Sequence, residues 1–257
     1  MLDWILLGAG ALLAGFVDAV AGGGGLIQLP TLLAVFPTSP VATLFGTNKA
    51  ASIWGTAFAA THYARRVQLR WRTLAPALLA AAAAAWCGAR LVSTLAGDWL
   101  RPVILVLLIG VAWYTVAQRN LGLVHSPRHA ARFEAGFGTV IAAALGFYDG
   151  FFGPGTGAFL VFLLVRVLGY DFLNASAAAK IINIATNLAA LAYFVPHGQW
   201  LWQIALYMAF CNVLGAGFGS LSALRRGSRF VRQIFLCVLA VLIVKLARDV
   251  FINYVAG

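Results

Sequence analysis

Lysine is scarce in this sequence, three residues against fifteen arginines, and two of the three occupy equivalent positions inside apolar stretches. Lys49, Ser52 and Thr56 fall at i, i+3 and i+7, as do Lys180, Asn183 and Asn187. In a helix that spacing puts each set on one face. Asn48 adjoins the first set and Thr186 the second. An ammonium among hydroxyls and amides offers several donors to a small oxyanion. A lysine inside a membrane segment costs about 3 kcal/mol on insertion scales, so it must face a partner or a wet cavity. The alternatives are a structural ion pair with an acid, or a side chain that reaches the interface. An ion pair is compatible with anion binding, since one lysine can hold both.

Asp18 and Asp149 stand in the interiors of apolar segments, each four residues before a glycine-rich turn. Gly22, Gly23, Gly24 and Gly25 follow the first, and Gly153-Pro154-Gly155-Thr156-Gly157 follows the second. Backbone that leaves helical geometry within a membrane is tolerated where it lines a protein-enclosed cavity, and glycine lets a ligand approach it closely. A helix starting just after such a turn, near Leu26 or Ala158, directs free N–H groups and its positive end at an anion. The substrate-binding candidates are therefore Gly23, Gly24, Gly25, Asn48, Lys49, Ser52, Gly155, Thr156, Gly157, Lys180, Asn183 and Asn187. Asp18 and Asp149 are candidates for capping free N–H groups, for neutralising the opposite lysine or for carrying a coupling proton. Close helix packing through small residues is the other reading of the glycines.

The elements that must position these groups follow from composition. Of 257 residues, 62% are hydrophobic and 10% are charged, whereas a soluble domain carries about 25% charged residues. That excludes a water-soluble enzyme or a free nucleic-acid-binding domain, despite a formal net charge of +11. Apolar segments fall at about 2–20, 41–63, 73–95, 99–118, 133–152, 173–195, 201–223 and 233–254, with shorter ones at 25–36 and 157–169. A spanning helix takes about 20 residues, so the short pieces cannot cross unaided. The start, MLDWILL, has no basic n-region and reads as the first helix, not a removable signal.

The chain repeats itself at a constant offset of 131: Gly15, Phe16 and Asp18 match Gly146, Phe147 and Asp149, Lys49 matches Lys180, and Gln68 and Trp71 match Gln199 and Trp202. Such duplication is the usual build of secondary transporters. Basic residues then orient the halves. The 64–72 loop carries Arg65, Arg66, Arg70 and Arg72, while its counterpart near 195–203 has neither lysine nor arginine. The 95–101 loop is nearly neutral, while its counterpart carries Arg225, Arg226, Arg229 and Arg232, and the middle connection holds Arg119, Arg128 and Arg132. Cytoplasmic loops are enriched in Lys and Arg, so equivalent loops face opposite sides. Inversion requires an odd number of crossings per repeat, which the short segments supply. The expectation is an all-α polytopic membrane protein: one transmembrane domain over 1–257, built of two inverted-topology repeats. Repeat one covers about 1–122, a basic connection about 119–132 and repeat two about 133–257. It has eight long helices and two short broken, re-entrant ones, with basic loops cytoplasmic and both termini on the other side of the cell (inner) membrane. The competing expectation is eight spans with two surface loops.

Several features carry no chemistry. Cys87, Cys211 and Cys237 stand singly and read as small buried hydrophobes, and four scattered histidines have no metal spacing. The glycine runs lack the Lys-Ser/Thr ending of a nucleotide loop. No nucleophile–base pair converges, so no enzyme and no cofactor are expected; the expected partners are a small anionic substrate, the lipid bilayer and protons as a coupling ion, with no nucleic acid.

GFVDAVAGGGGLIQLP with GTNKAASIWGT, and GFYDGFFGPGTGAFL with ASAAAKIINIATNLAAL, resemble the paired signatures of the TauE/SafE sulfite-exporter-like permeases, the second motif being similar to their YfcA-like members. The resemblance covers essentially the whole chain. It implies a membrane transporter for sulfur-containing anions such as sulfite, thiosulfate or organosulfonates. Ser52 and Thr56 stand where the second half has Asn183 and Asn187, so the site is expected to be asymmetric. A cation or neutral-solute carrier with Asp18 and Asp149 as binding groups, or a non-transporting membrane subunit, are the alternatives.

Overall fold

The computed structural model describes residues 2–93, 126 and 130–254. Eight helices fall within them: α1 (Leu2–Ala21), α2 (Gly25–Val35), α3 (Val41–Ala64), α4 (Trp71–Val92), α5 (Ala131–Phe151), α6 (Thr156–Leu163), α7 (Phe172–Phe194) and α8 (Trp202–Tyr254). A π-helical turn, Leu164–Leu168, extends α6, giving the short segment expected there. No strand occurs among the described residues. Four helical spans are long and apolar enough to cross a membrane: Leu2–Ala21, Trp71–Val92, Phe172–Phe194 and Trp202–Cys237. The expected segment 99–118, the 95–101 loop and most of the 119–132 connection lie outside the described residues.

The basic stretch near 225–232 falls where a connection between two helices was expected: α8 is two helical runs joined at a kink, where the backbone leaves helical geometry at Gly227 (φ 73°). The connection is a sharp kink and not an extended loop. One expectation is corrected. Cys87 and Cys237 are exposed rather than buried, with Cys211 half-buried. A helix flank that meets lipid gives a small hydrophobe no reason to turn inward. The same outer surface carries Leu79, Val140, Phe210 and Phe218, each at least 66% exposed, and is matched to hydrocarbon rather than water.

Equivalent helices begin 131 residues apart: α2 and α6 at Gly25 and Thr156, α3 and α7 at Val41 and Phe172, α4 and α8 at Trp71 and Trp202. The starts of α3 and α7, and those of α4 and α8, lie at opposite ends of the bundle. At one end, Tyr207 on α8 donates to the Trp4 carbonyl of α1, and the Leu201 amide donates to Thr47 near the start of α3. At the other, Glu134 at the start of α5 accepts from Arg70 (2.5 Å), Thr73 (3.1 Å) and Tyr170 (2.6 Å). Asp171 there caps α7 and accepts from Ser228 beside the Gly227 break (2.9 Å). The basic stretches 64–72 and 225–229 and the start of α5 therefore share one end.

Packing follows the same exchange. α4 lies along α5 and α7, as α8 lies along α1 and α3. Missing side chains allow the closest approaches. A Cβ on Gly15 would stand 2.1 Å from the Asn212 carbonyl oxygen, and one on Gly146 would stand 2.5 Å from that of Ala81. Both residues of the second pair lie at the same offset from the first, with the halves exchanged. α2 folds back along α1, its Leu29 and Leu32 packing with Leu7, Ala11 and Leu44. α6 likewise places Leu160 in a core with Leu164 of the π-helical turn, Ala142 of α5 and Ala178 of α7. Each half thus contributes a helical hairpin that enters from one end and turns back at a glycine bend.

Candidate functional site

The two hairpin bends meet in the interior. Gly22 and Gly23 have φ of 73° and 120°, and Gly153 and Gly155 have 90° and 87°, values that L side chains rarely adopt. Gly22 also lies so close to Gly157 that a Cβ on it would stand 2.4 Å from the Gly157 carbonyl carbon. The bends need glycine for conformation and for contact. α2 and α6 start here, and the N–H groups of Gly24, Gly25 and Gly157 find no acceptor among the described residues. Unmatched donors at a helix start form an anion-binding edge.

The lysines and aspartates pair across the halves. Lys49 Nζ lies 2.9 Å from Asp149 Oδ2 and donates also to Asn187 Oδ1 at 3.3 Å. At the equivalent place Lys180 Nζ lies 3.8 Å from Asp18 Oδ2 and donates to the Asp18 backbone carbonyl. The two pairs differ for a covalent reason. Asp18 Oδ1 accepts from the Gly23 N–H at 3.3 Å and Oδ2 accepts from Thr56 at 3.1 Å. The residue matching Gly23 is Pro154, which has no N–H to donate. Asp149 is left free to close on its lysine. Asp18 thus meets both a free N–H group and a lysine, and Asp149 a lysine.

Around these groups lies a cavity with about 40 Å³ open to the centre of a water-sized sphere. One water takes roughly 10–15 Å³ on that measure, so the space suits about three waters or one small anion. Of the sequence candidates, Gly23, Gly24, Gly25, Asn48, Lys49, Ser52, Gly155, Thr156, Gly157, Asn183 and Asn187 line it, with Asp18 and Asp149. Lys180 does not. Its side chain is 1% exposed and lies behind the wall against Asp18. The lining also takes Thr56, Gly153 and Asn212. Thr56 and Gly153 belong to the motifs read above, whereas Asn212 has no match in the repeat and was missed.

Electrostatically the site balances. Two ammonium groups face two carboxylates, so formal charge sums to zero. The amides remain unsettled: Asn48 Oδ1 and Asn183 Oδ1 are buried without a hydrogen-bond partner. An unpartnered buried acceptor costs about 1–3 kcal/mol, and both amides stand on the cavity wall. Among the described residues, no group of three or more His, Cys, Asp or Glu side chains is placed to hold a metal.

The family model for sulfite exporter TauE/SafE matches residues 7–246. A probable membrane transporter protein, ORF9, of Sinorhizobium sp is 36% identical over 93% of this chain and 90% of its own length. The probable membrane transporter protein YfcA of Escherichia coli K12 is 32% identical over 93% and 87%. A probable membrane transporter protein of Haemophilus influenzae is 31% identical over 92% and 91%. No solved structure matches.

Proposed function

The chain belongs to the TauE/SafE sulfite exporter family, and on that footing we propose that it is a secondary transporter of a small sulfur-containing anion such as sulfite or an organosulfonate. The observation that carries the proposal is the meeting of two glycine bends, each opening a helix, over a cavity walled by Lys49 and unpartnered amides. Free N–H groups at α2 and α6 and the Lys49 ammonium would hold the oxyanion head. Lys180 would act from behind, holding Asp18 and the first bend in place.

Alternating access fits a pair of inverted-topology repeats, in which one hairpin and its supporting helices rock against the other. The exchange of partners between α1·α8 and α4·α5 supports that reading. Gathering the basic stretches at one end supports placing that end in the cytoplasm, with both termini on the far side of a bacterial inner membrane. Nothing in this scheme calls for enzymatic chemistry or a cofactor.

A second reading is favoured by one observation: both aspartates line the cavity and the site's charge sums to zero. The protein would then be a cation- or proton-coupled carrier with Asp18 and Asp149 as binding groups. Flux into proteoliposomes separates the two. Uptake or efflux of sulfite or sulfonates that is selective over carboxylates, and lost on Lys49→Ala, supports the anion reading. Flux without anion selectivity that is lost on Asp149→Asn and kept on Lys49→Ala overturns it.

A further inference from the structure

We propose that Asn212 selects ligands that carry a hydrogen-bond donor beside the anionic head. The site then takes a monoanion bearing an O–H or N–H in preference to a donorless anion or a dianion. The proposal rests on the anion-transport reading and names the ligand class of the same site.

Asn212 is 2% exposed and reaches the cavity from α8. Its Nδ2 donates to the Ala11 carbonyl at 3.2 Å and to Gln28 Oε1 at 2.9 Å. Gln28 is fully buried, and its Nε2 donates to the Asn48 carbonyl at 3.3 Å. The Ala11 and Asn48 carbonyls can only accept. They close the chain at both ends, so reversing either amide would set two acceptors, or two donors, against each other. Both hydrogens of Asn212 Nδ2 are thereby used, and Oδ1 accepts nothing among the described residues. That oxygen occupies the space a side chain at Gly55 would fill, 2.0 Å from an ideal Cβ there. Gly55 lies on α3 between the cavity-lining Ser52 and Thr56. The protein has built a rigid seat for an acceptor and supplied it no donor.

Charge points the same way. With Lys49 and Lys180 already balanced by Asp149 and Asp18, each added negative charge is uncompensated in a low-dielectric interior. A monoanion adds one such charge and a dianion two. The acceptor also has a side: the residues matching Gln28 and Asn212 are Phe159 and Ala81, which have no polar side chain. A bound ligand therefore turns its donor toward α8 and its anionic oxygens toward Lys49 and the helix starts.

The test uses two monoanions of nearly equal size, amidosulfonate and methanesulfonate, titrated at one pH against purified protein in nanodiscs. They share a sulfonate head and differ in carrying an amino group, which donates, or a methyl group, which does not. Amidosulfonate is expected to bind about tenfold more tightly, the worth of one hydrogen bond. In Asn212→Leu the ratio should fall to near one. Gln28→Leu keeps the Asn212 side chain but frees it to rotate, and should lower the ratio as well. It also serves if Asn212→Leu does not fold. Equal binding of the two by the unaltered protein overturns the donor preference and leaves the anion reading standing. An unchanged ratio in both variants overturns the role of Asn212. Binding of neither ligand, nor of sulfite, overturns both this inference and the anion reading.

Discussion

Lys49 of one half lies 2.9 Å from Asp149 of the other, and 131 residues later Lys180 stands 3.8 Å from Asp18. Each pair ties the middle of a long helix, α3 or α7, to the stem of the opposite hairpin. Only the tighter pair lines the cavity on both sides. One crossed pair is thus open to the cavity through both partners, and the other through its aspartate alone.

This division predicts different fates for the two lysines. Removing one member of a buried pair strands a charge and costs about 3–5 kcal/mol, whereas removing both costs much less. Lys49→Ala and Asp149→Ala should each lower the melting temperature in detergent, and the double variant should recover most of the loss. The double variant should still fail to bind anions. A double variant no more stable than the worse single one would count against an ion pair in the native protein.

The glycines separate in the same way. Gly22 combines a φ of 73° with a backbone neighbour 2.4 Å from any Cβ, so Gly22→Ala is expected to block folding or expression. Gly25 has ordinary backbone, and its Cβ would meet nothing nearer than 3.6 Å. Gly25→Ala should fold with a near-normal melting temperature. Its methyl projects into a cavity of about 40 Å³, and crowding a ligand there costs about 1–3 kcal/mol. Isothermal titration should show anion affinity reduced while stability is kept.

Most of this site was legible because charge and glycine are expensive in an apolar chain. Lys49, Lys180, Asp18 and Asp149 stand out for that reason, and the offset of 131 doubles each signal. Asn212 and Gln28 escaped on the same logic: their counterparts are Ala81 and Phe159, so comparing the halves discards them. A lone amide in an apolar helix gives no sign of what it meets, and the Gln28–Asn212 contact joins residues 184 positions apart. The withdrawal of Lys180 behind the wall was equally hidden, since it accompanies an Asp18 carboxylate already taken up by the Gly23 N–H and Thr56. The break at Gly227 was legible as a basic gap between two apolar segments, but its sharpness was not, because arginines suit a loop and a helix end alike.

Glu134 offers a pH-dependent prediction outside the membrane interior. It is 1% exposed and accepts from Arg70, Thr73 and Tyr170. Burial, and then the Glu134 carboxylate beside it, push the Tyr170 hydroxyl well above its ordinary value of 10.0. A tyrosine whose folded pKa is raised stabilises the fold below its unfolded pKa. That contribution is lost as pH rises from about 10 toward the folded value. The stability difference between the unaltered protein and Tyr170→Phe should be constant from about pH 6 to about 9 and shrink above about 10. A difference that grows with alkaline pH would contradict the contact. Glu134→Ala should be the more damaging change, since it removes the acceptor of Arg70, Thr73 and Tyr170 together.

Orientation can be read chemically. His197 is exposed at the end that holds the starts of α1, α3 and α8, while Arg66 and Arg226 are exposed on the basic stretches of the other end. Single cysteines at these positions, placed in a background with Cys87, Cys211 and Cys237 changed to alanine, should label on opposite sides. An impermeant maleimide applied to intact bacterial spheroplasts should modify His197→Cys and spare Arg66→Cys and Arg226→Cys. Inverted vesicles should give the reverse. Positive charge near a membrane orients the chain toward the cytoplasm, and the hydrogen bonds from Arg70 to Glu134 and from Ser228 to Asp171 hold the two basic stretches on one side. Labelling of Arg66→Cys and Arg226→Cys from opposite sides would break the proposed inversion, because the counterpart of each stretch would then share its side.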